Sequence, residues 1–164
     1  MFEVLVFVYE HYWRGDACPE LHQLGRKLTA HGFDADEIQD ALVWLDGLNL
    51  VAQSIRPGDP TPALSQPDAA QLQSLTSMRI YSVAEQDHLG AECLGFVYFL
   101  ESAGVLPAGM REIVIDRAMA APGDPVSLDD LKIIILMVYW SFGQEPDALV
   151  LDELCDAVEG RLAH

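Results

Sequence analysis

Eight consecutive residues, 133–140 (IIILMVYW), carry no polar side-chain group except the Tyr139 hydroxyl and the indole N–H of Trp140. A helix that is apolar all round must be covered on nearly every side, which makes it either a core helix or a membrane span. A span takes roughly 20 apolar residues, and this run is interrupted at once by Lys132 and the acids Asp129 and Asp130 on its amino-terminal side. The stretch SLDDLKIIILMVYWSF therefore reads as the central helix of a globular body. Ser127 with Asp130 supplies its cap and Gly143 its stop. At 164 residues the chain is long enough to bury such a helix without a metal or a disulfide.

The rest of the chain reads as helices that could cover it. In residues 1–14 the polar positions Glu3, Glu10 and Arg14 fall in one narrow stripe at helical spacing, with Glu10 and Arg14 as an i,i+4 pair. Pro19 opens a short helix with Leu21, Leu24 and Leu28 on one face, ended by Gly32. Asp34 with Glu37 reads as a capping box, and Phe33 with Ile38 as its hydrophobic staple. The buried stripe is Ile38, Ala41, Leu42, Leu45 and Leu48, and Gly47 with Asn49 marks the predicted end. Ser82 with Glu85 opens another helix, striped by Leu89, Cys93, Phe96, Val97 and Leu100. Met110, Ile113, Val114, Ala118 and Ala121 stripe the next, up to Pro122. A last helix from Asp147 places Leu151, Leu154, Cys155, Val158 and Leu162 inward.

Residues 50–55 and 78–81 read as two short strands. Between them lies RPGDPTPALSQPDAAQLQSLTS, which holds four of the nine prolines. Two strands around a loop, directly after a helix-turn-helix, give the layout of a winged helix. The predicted class is thus mainly α with about seven helices. Residues 1–56 form a winged-helix-like lobe with a two-stranded wing, 57–76 a Pro-rich linker and 77–164 a helical bundle lobe, with 78–81 pairing back onto the first lobe.

Nine Lys and Arg stand against 26 Asp and Glu, a formal charge of -17. Such a surface repels nucleic-acid phosphate and anionic lipid and favours basic partners. The would-be recognition helix, DADEIQDALVWLDG, has five acids and no cation, where a DNA reader needs Arg, Lys, Asn or Gln. Arg26, Lys27, Arg56 and Arg79 are the cations that could form an interaction patch. The leading expectation is a non-enzymatic protein-interaction module, and the alternative is direct DNA binding through those four residues.

Catalytic chemistry has weaker support. There is no HExxH, Walker loop, GxGxxG or GxSxG, and no cofactor or metal is expected. A third, enzymatic reading rests on Cys18, beside Pro19, or on His88 with Glu92 one helical turn apart. Cys93 sits on an apolar stripe and reads as core, as do Tyr98, Phe99, Tyr139 and Trp140. Lys132 is expected to snorkel or to pair with Asp129. Cys18, Cys93 and Cys155 are widely spaced, which fits a reducing cytosol. MFEVLVFVYEHYW has an acid at position 3 and does not read as a signal peptide. No feature fixes an oligomeric state.

The segments MFEVLVFVYEHYW, GFDADEIQDALVWLDGL, SMRIYSVAEQDHL, GFVYFLESAGVL, REIVIDRAM and LDDLKIIILMVYW, in that order, resemble the Smg family of bacterial proteins over essentially the whole chain. The proline-rich loop from Pro57 to Leu72 is peculiar to this member. The resemblance implies a small cytoplasmic protein, often encoded beside a DNA-processing protein. It supplies no catalytic or ligand-binding residues.

Overall fold

The computed structural model describes residues 1–12, 20–55, 79–144, 146, 150 and 152–154. These form α1 (Phe2–Tyr12), α2 (Leu21–Ala30), α3 (Ala35–Ile55), α4 (Val83–Ser102), α5 (Ala108–Met119) and α6 (Leu128–Ser141), with further helical residues at 150 and 152–154. Leu154 is fully buried; most of the predicted last helix lies outside the described residues.

The apolar run does become the hub. Every residue from Leu131 to Tyr139 is buried, because α6 packs against α1, α3, α4 and α5. Ser127 caps it, its Oγ accepting from the Asp130 amide at 3.2 Å. The Tyr139 hydroxyl, a polar group inside the run, donates to the Val105 carbonyl. Lys132 is buried, yet its ammonium reaches Glu153 at 2.6 Å rather than Asp129 and lies 5.6 Å from the Phe96 ring centre. Its aliphatic stem fills the core while the charge reaches a carboxylate at the edge. At 14 residues α6 is about 21 Å long, and no helix among the described residues is long and apolar enough to cross a membrane.

The first strand of the predicted wing is helix instead. Among the described residues there is no strand, and α3 runs unbroken to Ile55. Leu45, Leu48 and Ala52 are all buried, so the core stripe passes straight through the supposed stop at Gly47 and the supposed strand at 50–55. Residues 79–82 have no regular structure. Arg79 fastens them to Glu85 and Glu112, on α4 and α5, instead of pairing back onto the first lobe.

Elsewhere the stripes hold among the described residues, except that Leu21, Leu42 and Phe96 are half-buried. In α1 the residues Phe2, Val4, Leu5, Val6, Val8 and Tyr9 are buried, with Glu3 and Glu10 exposed; Arg14 lies outside the described residues. Leu24 and Leu28 of α2 are fully buried against α3, the one described helix that α2 packs on closely. A Cβ on Gly25 would come 3.2 Å from Leu42 Cδ1, so glycine there permits that close approach. One hydrophobic cluster joins Val4, Leu5 and Leu45 to Leu89, Val97, Ile113 and Ile135, from both sides of the proline-rich stretch.

The capping box of α4 is complete, with Glu85 Oε2 accepting from the Ser82 amide at 2.7 Å and Ser82 Oγ from the Glu85 amide at 3.3 Å. The helix kinks at Gly90, where φ is 71° and ψ 167°, a backbone region open to glycine but costly for other residues. α4 is therefore two arms, 83–89 and 91–102, which differ in direction.

Candidate interaction surface

Three of the four predicted basic residues, Arg26, Lys27 and Arg79, are among the described residues. Arg26 and Lys27 sit on the exposed side of α2, where Arg26 Nη2 donates to His22 Nδ1 at 3.2 Å. Lys27 Nζ donates to the Tyr12 hydroxyl at 3.2 Å and sits 5.3 Å from the centre of that ring. Arg56 lies outside the described residues. Arg79 is consumed elsewhere: its Nη2 is 2.9 Å from Glu85 Oε1 and its Nε 2.8 Å from Glu112 Oε1, and its guanidinium covers the Tyr81 ring at 4.7 Å.

Arg79 belongs to a five-residue ion network that runs Glu85–Arg79–Glu112–Arg111–Glu101. Glu112 also accepts from Arg111 Nη2 at 2.7 Å, and Arg111 Nη1 donates to Glu101. Arg111 is only 4% exposed, and a buried cation is tolerable only when carboxylates surround it. The Arg79 hydrogen bond holds the Glu85 carboxyl down to about 2. Burial pushes the Glu112 carboxyl up, but the hydrogen bonds and charges of Arg79 and Arg111 together win and hold it below its ordinary value. This network clamps 79–82, both arms of α4 and α5 to each other.

Of the enzymatic candidates, His88 and Glu92 are among the described residues. His88 and Glu92 are not an i,i+4 pair, because the kink at Gly90 separates them. The half-buried His88 ring lies 3.1 Å from the Ala118 carbonyl through Nε2, which is then the protonated nitrogen, and its backbone carbonyl accepts from the Val126 amide at 2.8 Å. Cys93 is buried, its Sγ 3.4 Å from the Val126 carbonyl, and burial pushes its thiol up to about 11, far from thiolate at neutral pH. Cys18 and Cys155 lie outside the described residues. Among the described residues no three His, Cys, Asp or Glu side chains are grouped to hold a metal. The described residues line surface clefts, among them the following two. One, of about 390 Å³, lies beside Asp40, Trp44 and Arg117; the other, of about 510 Å³, lies beside Leu21, Asn49, Gln53 and Trp140. Neither is lined by a histidine or cysteine.

The second arm of α4 presents a different feature. Tyr98 is 56% and Phe99 59% exposed, against the expectation that both are core. Leu89, Cys93, Val97 and Leu100 already fill the inward stripe, so their neighbours are turned out. Phe96 is half-buried with its ring centre 6.5 Å from that of Phe99. Gly95 and Ala91 are exposed one and two turns before Phe99. On α3, by contrast, the exposed apolar residues Val43 and Leu50 stand two turns apart, with Asp46 and Gly47 between them.

Residues 1–164 match the family described as "Protein of unknown function (DUF494)". Two proteins called Protein Smg homolog, from Leptothrix cholodnii and Methylibium petroleiphilum, are each 56% identical to this chain over all of both sequences. A third, from Bordetella pertussis, is 46% identical, again over all of both. The chain belongs to the Smg family. No solved structure matches it significantly.

For this Smg family member, the resemblance recognised in the ordered segments thus extends over the full length. The names of its relatives state no ligand, reaction or partner, so a functional reading has to come from the surface. GFVYFLESAGVL is one of the family-like segments, and its sequence alone assigns Tyr98 and Phe99 to the core. The available signal was stripe saturation: with Cys93, Val97 and Leu100 inward, Tyr98 and Phe99 fall on the opposite side of the same helix.

Proposed function

We propose that this Smg family protein is a non-catalytic, cytoplasmic docking module that presents the second arm of α4 to a protein partner. The carrying observation is the adjacent exposure of Tyr98 and Phe99 beside Phe96. Single exposed apolar residues are ordinary on a soluble protein, whereas contiguous exposed aromatics mark interaction sites, and Tyr and Phe are enriched at interface centres. The net charge of -17 favours a protein over a nucleic acid as the partner. The family setting beside a DNA-processing protein makes such proteins the first partners to test.

The reading is tested by placing a benzoylphenylalanine photocrosslinker at Tyr98 in the native cell. The expected result is an adduct with a second protein, identified by mass spectrometry and rebuilt from purified components, while the same group at Leu50 gives none. Equal labelling from both positions, or none from Tyr98, overturns it.

A second reading, direct DNA contact through α2, is favoured by one observation: LHQLGRKLTA is the only one of the six described helices with no Asp or Glu. Fluorescence anisotropy with duplex and single-stranded DNA at low salt separates the two. Sub-micromolar binding abolished by Arg26→Glu with Lys27→Glu supports the DNA reading, and weak binding indifferent to both removes it.

A further inference from the structure

Resting on the docking reading, we infer that the partner element seated on the second arm of α4 is a basic amphipathic helix. The arm, residues 91–102, is about 18 Å long, enough for about three turns of a partner helix. Phe96, Tyr98 and Phe99 supply apolar contact, and a Cβ added at Gly95 would meet nothing within 4 Å. Ala91 and Gly95 thus leave room beside the aromatics for another helix to come close. Among the described residues there is no strand to be extended by an added strand, so a helix laid along the arm is the fitting mode of peptide recognition.

Charge fixes the sign of that helix. α4 contains no Lys or Arg, and its second arm carries Glu92 and Glu101. Among the described residues, the cations nearest the face are withdrawn: Lys132 is 8% and Arg111 4% exposed. Lys132 is tied to Glu153 and lies against Phe96, and Arg111 is tied to Glu101 and Glu112. Their carboxylate partners remain outermost, with the Glu153 side chain 55% exposed and that of Glu112 49%. An occupant must then bring an apolar stripe to the aromatics and cations to the rim, where complementarity raises specificity and on-rate. A second copy of this chain would set Glu92 and Glu153 against like charges, and a nucleic acid would set phosphates there.

The experiment uses the full-length protein and a labelled leucine–lysine helical peptide of about 18 residues, beside a leucine–glutamate peptide of equal length. Anisotropy should give micromolar binding for the first alone, weakened about tenfold between about 50 mM and about 500 mM salt. Tyr98→Ser with Phe99→Ser should weaken it by at least about tenfold at an unchanged melting temperature, since both residues are exposed. Glu92→Lys should weaken it several-fold, and Val43→Ser with Leu50→Ser should leave it within about twofold. Equal binding of the acidic peptide, indifference to Tyr98 and Phe99, or sedimentation of the wild type as a dimer that those two substitutions dissociate would each overturn the inference. A crosslink from position 98 to a partner that contributes no basic helix would overturn it too, while leaving the docking reading intact.

Discussion

The guanidinium of Arg117 occupies the place where a side chain on Gly47 would begin: a Cβ there would lie 2.1 Å from Nη1. The Trp44 indole donates to the Arg117 carbonyl at 2.9 Å, so α3 and α5 are locked at both the backbone and the tip of one residue. Gly47 is thus a seat in mid-helix, not a stop.

A double-mutant cycle follows. In an Arg117→Ala background, Gly47→Ala should gain about 1 kcal/mol of helix propensity. With Arg117 present the gain should shrink, because the guanidinium must move, giving a coupling of at least about 0.5 kcal/mol. Chemical denaturation of the four proteins measures it; strict additivity would remove the seat.

How much of this was legible in the sequence varied with the reach of the interaction. The hub α6 was plain because every position of 133–140 is apolar, so no choice of face was needed. The Ser82–Glu85 box is local and was equally plain. Gly47 misled because Arg117, the residue that explains it, is 70 positions away, and with Gly47 taken as a stop the apolar run beyond it passed for a strand. Gly90 gave no sign of its positive φ because apolar spacing runs evenly across the kink. Tyr98 and Phe99 passed as core because aromatic residues usually are.

The ion network makes a pH prediction. Glu85 titrates at about 2 when folded, against an ordinary 4.5. A depressed folded value means the stabilisation is complete above about 4.5 and disappears as pH falls toward about 2. Melting temperatures across that window should show the wild type losing its advantage over Glu85→Gln as pH drops. A constant gap would mean that Glu85 is not held by Arg79.

Cys93 should be chemically silent while the protein is folded. Its buried thiol is pushed up to about 11, and the thiolate is the reactive form. Iodoacetamide at about pH 8 with site-resolved mass spectrometry should leave Cys93 unmodified until denaturant is added. Rapid native labelling would contradict the burial.

Ile135→Asp should unfold the protein at ambient temperature. Ile135 is 0% exposed at the centre of α6, and an unpaired buried charge costs about 3–5 kcal/mol, a large share of typical domain stability. Circular dichroism melting decides it; an unchanged transition would show that α6 is not the hub.

Hydrogen–deuterium exchange of the full-length protein, alone and saturated with the leucine–lysine peptide, tests the docking account most directly. The account predicts new protection concentrated in residues 91–102, lost with Tyr98→Ser and Phe99→Ser. Protection falling instead on α2 or α3, with 91–102 unchanged, would contradict it.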